Sequence, residues 1–407
     1  MDAYQILGSG PVKGDFPPFS FMLQPSLNAT GKAQPDGAGP HFGPNNNFAL
    51  SQASVFYAGQ LFGSSVQSLL APGVANFLGK FGVFFQGTYS GVERKIGWDN
   101  VEIRFADQTK FCEMPAKFGF YLNNNPSMQD PWNTLPVWTF PFSSSKLAPT
   151  PAAATLLEGG LAQQVLGLGA YTFLGKSIYL DVAGYKTTSP GFQKAMGAFD
   201  PGEKQVSGVA PYWRVAYSKS STNQSFEAGA FGLSADNFPG RDRSSGKDRI
   251  SDWGLDSQYQ VTIGQHAFTS MVSRIYEKAQ WRASLPLGST AKAVDRLTST
   301  KAGLNYIYNS TYGGFVGYFK TNGTTDELLY ANDSVTNSPK SDGMIFQLNY
   351  MPFNKNGGPS FAPRSNVKFS LQYVMYNRFN GTSSNYNGEG RNARDNNTLY
   401  LETWIMF

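Results

Sequence analysis

Along much of the chain apolar and polar side chains alternate one for one, the period of an extended strand whose two faces meet different surroundings. Between Val367 and Met375 the set Val367, Phe369, Leu371, Tyr373 and Met375 is apolar or aromatic, Lys368, Ser370 and Gln372 fall on the other face, and only Val374 breaks the order. Met344, Phe346, Leu348 and Tyr350 stand likewise against Gln347 and Asn349, and Ile178, Leu180 and Val182 against Tyr179 and Asp181. The same holds for Val101, Ile103 and Phe105 against Glu102 and Arg104, for Trp213, Val215 and Tyr217 against Arg214, and for Tyr259, Val261 and Ile263 against Gln260 and Thr262.

Sixteen such segments are read, near 19-30, 47-60, 80-92, 98-106, 115-123, 163-174, 177-187, 206-219, 223-235, 253-263, 266-282, 297-310, 313-322, 341-352, 365-378 and 397-407. An even count lets an antiparallel sheet close with both chain ends on one side, and about ten residues per strand cross a hydrocarbon layer at a tilt. The predicted fold is all-β, a transmembrane antiparallel β-barrel of the outer-membrane type. No internal repeat, linker or composition break divides it, so residues 1-407 form one barrel.

The connections follow the rhythm of such a barrel, short turns on one side and long loops on the other. Short links fall at Gly175-Lys176, Ser220 to Thr222, Gly264-Gln265 and around Ser310 to Tyr312; long ones at 188-205, 236-252, 283-296, 323-340 and 379-396. Three links depart from it. Residues 61-79 are long for a turn and could hide a helix or a miscounted strand pair, 93-97 are short for an external loop, and 353-364 exceed a tight turn.

Composition separates this barrel from a soluble β domain. Charged residues are 15% of the chain, against about 25% in soluble domains, while aromatics also reach 15%, Gly counts 44 and net charge is +5. In a soluble sandwich charged residues would dominate the outer positions. Here the polar faces carry Gln, Asn, Ser, Thr and Tyr with scattered single charges, which suits a water-filled lumen, and the apolar faces suit lipid. No run of about 18 apolar residues exists for a spanning helix. The opening Met1-Asp2-Ala3-Tyr4-Gln5 has no basic n-region, so any export signal is expected to have been removed or omitted. The last strand places Leu399, Leu401, Ile405 and Phe407 on one face, and the chain stops on that aromatic. A terminal Phe closing an alternating strand resembles the assembly signal of bacterial outer-membrane barrels, and Phe407 is assigned that role.

Catalytic and metal chemistry find little material. The chain has one cysteine, Cys112, and two histidines, His41 and His266. No intramolecular disulfide or Cys-rich metal site can form, and His266 with Ser270 or Ser273 nearby makes no readable triad. The expectation is a non-enzyme without metal.

The longest connection, residues 124-162, is the third external loop, and it is apolar and stiff. Trp132, Trp138, Phe140 and Phe142 crowd it together with Pro126, Pro131, Pro136, Pro141 and Pro149, while Thr150-Pro151-Ala152-Ala153-Ala154 reads as a helix start closed by Gly159-Gly160. Such a loop is expected to fold inward on the wall, as the third loop of general porins does, with Trp132 and Trp138 as anchors and Asp130 and Lys146 at the opening. The alternative places it across the top or at a subunit interface. Arg241, Arg243, Lys247 and Arg249 gather in the fifth external loop, and Arg104, Arg214 and Lys368 fall on lumen faces. A positive field at a narrow mouth favours anions; against this, Asp242 and Asp248 neutralise part of the loop.

The stretches Tyr121-Leu122-Asn123-Asn124-Asn125-Pro126, Gln129-Asp130-Pro131-Trp132-Asn133-Thr134, Pro136-Val137-Trp138, Ala148-Pro149-Thr150-Pro151-Ala152-Ala153-Ala154, Gly160-Leu161-Ala162-Gln163-Gln164 and Asn396-Asn397-Thr398-Leu399-Tyr400 resemble a family of proteobacterial outer-membrane porin-like proteins often labelled cytochrome c. Members often carry a Cys-x-x-Cys-His haem motif just before the first strand, which links them to fused cytochrome-porins. This chain lacks the motif, and Cys112 alone cannot hold a c-type haem by two thioethers. The resemblance implies either a haemless porin or a haem-bearing segment preceding Met1. Two functions follow: a passive channel for small hydrophilic solutes, with weak anion preference, or the sheath of an electron conduit around a c-type haem segment or partner cytochrome. Outer-membrane lipid and a homotrimer are the remaining expected partners, and nucleic acid is not one.

Overall fold

The computed structural model describes residues 19–135, 141, 143–196 and 205–407. Its wall is built from β1 (Phe19–Thr30), β2 (Asn47–Gln60), β3 (Phe81–Ser90), β4 (Lys95–Phe111), β5 (Met114–Asn123), β6 (Val165–Leu174), β7 (Ile178–Thr187), β9 (Ala210–Ser220), β10 (Gln224–Phe238), β11 (Asp248–Ile263), β12 (His266–Gln280), β13 (Val294–Tyr308), β14 (Tyr312–Gly323), β15 (Ser341–Tyr350), β16 (Asn366–Arg378) and β17 (Thr398–Met406). Each pairs antiparallel with its neighbour in sequence, and β1 pairs with both β2 and β17, so the sheet closes on itself. The remaining strand, β8 (Gln205–Val206), is two residues long and pairs with the tip of β10 while β7 and β9 meet beside it. The wall therefore has sixteen strands, and the segment read as one strand over 206-219 is cut at Ser207–Val209, where Gly208 takes φ 79°.

The alternation in the sequence appears in space with its sides reversed from a soluble protein. In β16, Lys368, Ser370 and Gln372 are buried inside the barrel, whereas Phe369, Leu371 and Tyr373 stand exposed on the outside. Leu168 and Leu348 are 67% and 65% exposed, while the inward Gln372 and Glu402 are 1% and 2% exposed. Water would not tolerate such an outer face over a whole wall; a bilayer requires it. The seam is held where the sequence ends: the Phe21 amide donates to the Phe407 carbonyl at 2.7 Å, the Phe407 amide returns a bond to Phe21 at 3.1 Å, and the two rings stack 5.8 Å apart.

One rim carries the tight turns. Cys112 and Glu113 form the β4–β5 turn with φ of 46° and 62°, the mirror-image geometry that matches strand twist. Residues 61–80 depart from this pattern by holding two short helices, α1 (Ser64–Gln67) and α2 (Pro72–Leu78), which accounts for that link's length. Residues 351–365 form a run of turns. The other rim carries the long connections apart from Gly91 to Arg94, a four-residue turn kept close to β2, where a side chain at Gly91 would strike the Leu50 carbonyl.

Candidate functional site

The described residues of the connection between β5 and β6 lie inside the barrel, against inward side chains of the wall. It leaves β5 along a polar chain of contacts: Arg104 donates to Glu102 (2.7 Å), Asn123 to Glu102 (3.2 Å) and to Gln129 (3.0 Å), Gln129 to the Tyr121 hydroxyl (2.8 Å), and that hydroxyl to Asp181 (2.7 Å). Glycine makes this possible on β6. Inward side chains at Gly167 and Gly169 would collide with the rings of Tyr185 and Tyr121, which lie flat on the strand.

Asp130 then turns the loop onto the wall. Its carboxylate accepts the amides of Trp132 (3.3 Å), Thr134 (2.9 Å) and Leu135 (3.2 Å) and the Thr134 hydroxyl (3.0 Å). Arg214 of β9 sits at the centre, its Nη2 lying 3.4 Å from Asp130, 2.9 Å from Glu227 of β10 and 2.7 Å from Asp256 of β11. The Thr134 hydroxyl also donates to Asp256, and Trp132 lies over the guanidinium at 5.5 Å, edge-on to Tyr179 at 5.4 Å. One cation thus joins three carboxyl groups out of water, the arrangement in which loss of one partner is costly.

Ser143 and the described residues just after it lie on the opposite wall. Counting wall strands from β1 without β8, β9 is the eighth and β17 the sixteenth, half a turn apart. Ser143 donates to Glu402 of β17 (2.6 Å), and its carbonyl accepts from Gln372 of β16 (3.0 Å). Gln34 donates to the Leu147 carbonyl (2.9 Å), and Tyr376 to that of Pro149 (3.3 Å). The loop then returns. The Leu156 amide donates to Glu277 (2.7 Å), the Leu157 amide to Asp252 (2.8 Å), and Glu158 pairs with Lys301 at 2.7 Å and accepts from Ser299 at 2.8 Å. Burial opposes ionisation of Glu158, but the Lys301 ammonium, the Thr155 amide and the Ser299 hydroxyl outweigh it and hold the carboxyl below its ordinary pKa. Leu135, Leu156, Leu157 and Leu161 complete an apolar cluster with Tyr212, Phe231 and Ile275 of the wall.

The structure distributes the expected site residues as follows. Arg104, Arg214 and Lys368 point inward, yet each faces carboxylate: Arg104 pairs with Glu102, Arg214 with three partners, and Lys368 lies 3.9 Å from Glu402 and over the Trp404 ring at 4.1 Å. Asp130 does not stand at the opening, because the Arg214 cluster buries it. Lys146 is exposed. Trp132 packs on the wall, while Trp138, Phe140 and Phe142 fall outside the described residues. The basic loop is not a mouth either. Lys247, just before β11, and Arg249 of β11 reach Asp236 of β10, at 3.0 and 4.0 Å, and Arg249 and Asp236 are paired positions that face outward; Arg241 donates to Gln193 at 3.2 Å; Arg243 is exposed. Asp242 instead accepts from Ser244 and Ser245, which draw its pKa down to about 2, and Asp248 turns inward to Ala283 and Ser284.

One further expectation changes. No helix starts at Thr150. The first turn begins at Thr155, which donates to Glu158, because Asn380 and the wall carboxylates take the amides of Ala152, Leu156 and Leu157 and hold the chain against the barrel. Tertiary contact overrides local preference there. His266 is bonded to the Tyr306 hydroxyl at 2.8 Å on the outer face; Ser273 is on the inner face, and Ser270 is four residues along, about 13 Å at strand rise. Sequence reading missed Glu102, Gln129, Asp181, Glu227, Asp256, Glu277 and Lys301. Their signal was present, since each is a polar residue at an inward position of an alternating strand or in the loop that meets it.

No protein-family model matches the chain, and no curated relative does. Solved structures do. The chain is similar to OprB of Pseudomonas putida (TM-score 0.54, 11% identity, covering 96% of this chain and 93% of that one). It is also similar to the outer membrane channel DcaP of Acinetobacter baumannii (0.51, 10%, covering 96% of each) and to OmpF of Salmonella typhi (0.50, 10%, covering 96% and 97%). What is shared at these identities is the fold, a closed sixteen-strand barrel of the outer-membrane porin type.

Proposed function

We propose that this barrel is an outer-membrane porin, a water-filled channel for passive diffusion of small hydrophilic solutes, narrowed by the loop of residues 124-162 and preferring anions. The observation that carries the anion preference is which inward charges water can reach. The side chains of Arg104 and Lys301 are 31% and 41% exposed, and Lys117 and Lys146 are exposed outright, whereas those of Asp130, Glu227 and Asp256 are 1%, 1% and 0% exposed. Carboxylates sealed under a loop act weakly on the bore, while solvated ammonium and guanidinium groups set its potential. The buried carboxylates and Arg214 serve the loop's attachment, while the cations that water reaches act on the solute. Assembly as a homotrimer in the outer membrane belongs to the same reading.

The electron-conduit reading rests on the resemblance to cytochrome-labelled porin-like proteins. It requires a haem segment in the lumen, where the crossing loop already lies, and the described residues therefore favour the open channel. Purified protein in planar bilayers separates the two. Stepwise conductance with a zero-current potential of chloride sign under a salt gradient is expected; a folded barrel that never conducts would favour the conduit, and a cation-signed potential would remove the anion preference.

A further inference from the structure

The link between β2 and β3 contains no charged residue from Leu61 to Gly79 and is more apolar than any turn facing water should be. None of the residues of α2 is buried. Leu69 is 84% exposed, Phe77 53%, Val74 48% and Val66 47%, so the two short helices present an apolar surface with no protein against it in the monomer. This surface does not close over the bore. Phe77 packs 5.4 Å from Phe81 and 5.9 Å from Phe105, whose rings stand on the outer face of β3 and β4 opposite the inward Glu102 and Arg104. Phe105 in turn stacks with Phe120 of β5 at 6.2 Å. The helices are thus joined by aromatic contacts to the band of rings that faces lipid. Gln67 of α1 turns back to the chain, donating to the Phe62 carbonyl (2.6 Å) and to Gln60 (3.2 Å), and Lys80, where the link ends, is tied to Asp107 at 2.7 Å.

We propose that α1 and α2 lie in the headgroup region of the leaflet on the short-turn side, as an interfacial anchor that extends the barrel's lipid-facing band beyond its strands. The occupant of the apolar surface is lipid, because the surface continues the lipid-facing wall without a break and carries no charge to keep it in water. This inference rests on the barrel being set in a bilayer, and the experiment separates the two. In a Cys112→Ser background, cysteines at Leu69, at Leu168 on the middle of β6 and at Asn223 in a tight turn are labelled with an environment-sensitive fluorophore, and the protein is reconstituted in phosphatidylcholine vesicles. The label at Leu69 is expected to lose fluorescence to nitroxide placed near the lipid headgroup and little to aqueous iodide; the label at Leu168 to nitroxide at the chain centre; the label at Asn223 to iodide alone. Iodide quenching at Leu69 with lipid quenching intact at Leu168 overturns the anchor and leaves the barrel standing. Protection at Leu69 from both quenchers overturns it too and assigns the surface to a second copy of the chain. No lipid quenching at Leu168 removes the bilayer reading itself. Val74→Cys repeats the measurement on α2 should a label at Leu69 prevent folding.

Discussion

The crossing loop is held at two places by opposite chemistry. On the β9–β13 side wall carboxylates accept the loop's backbone N-H groups and the Thr134 hydroxyl, and the wall cations Arg214 and Lys301 meet the loop's Asp130 and Glu158, over a cluster of leucines. On the β16–β2 side Gln372, Gln34 and Tyr376 donate to loop carbonyls, and Ser143 meets a charge at Glu402. Apolar packing there is small, Leu147 with Ala49 and Val92. The difference teaches how such a loop can be both fixed and adjustable. Its feet depend on specific side chains and a buried charge balance, where each loss is large; its crest depends on backbone carbonyls, which almost any sequence supplies, through neutral hydrogen bonds that each contribute little.

The comparison is broken most severely at Arg214. Replacing it with Ala leaves Asp130, Glu227 and Asp256 together without their cation, and the foot is expected to lose about 3–5 kcal/mol. Hydrogen exchange should then open residues 128 to 135 while the strand ladders stay protected, and the channel should become noisy. Equal loss of protection throughout the barrel would show that the cluster supports the wall instead of the loop. At the crest, Gln34→Ala removes one neutral bond to the Leu147 carbonyl, an expected cost of about 1 kcal/mol. Exchange at residues 145 to 149 should rise with the Arg214 foot unchanged; a response at the foot would mean that the two attachments are one unit.

The smallest effect is a pH dependence outside the bore. Asp326, in the connection after β14, accepts from Thr290 (2.6 Å) and from the amides of Ala291, Lys292, Leu328 and Leu329, tying two external loops together. Burial raises its pKa, but the Leu329 amide, the Thr290 hydroxyl and the others outweigh that and bring it down to about 2. A depressed carboxyl contributes stability that is complete above its unfolded value, near 4, and lost as pH falls through about 2. Protease resistance of residues 324 to 340 is expected to hold at pH 5 and to fall in acid below about pH 3, and Asp326→Asn should already be cut at neutral pH.

Much of the wall was legible because a bilayer barrel imposes a period of two on every strand, and β1 and β2 begin and end at the residues the alternation marks. The inward direction of Arg214 was legible for the same reason. What surrounds it was not. Alternation places Glu227 and Asp256 on the inner face without saying that neighbouring strands set them at one height, and it assigns Asp130 to a loop without showing which wall that loop meets. The absent helix at Thr150 has the same origin, long-range contacts that no local pattern encodes.

The central claim is that the loop crosses and narrows a water-filled bore, and single-channel conductance reads this directly. Deleting residues 127 to 146 removes the Asp130 foot and the Ser143 contacts of the crest, while every wall strand keeps its ladder. The shortened protein, still barrel-folded by circular dichroism, is expected to conduct severalfold more than the full chain. Unchanged conductance from a folded, loop-deleted barrel would contradict the claim and place the resistance of the channel elsewhere along the wall.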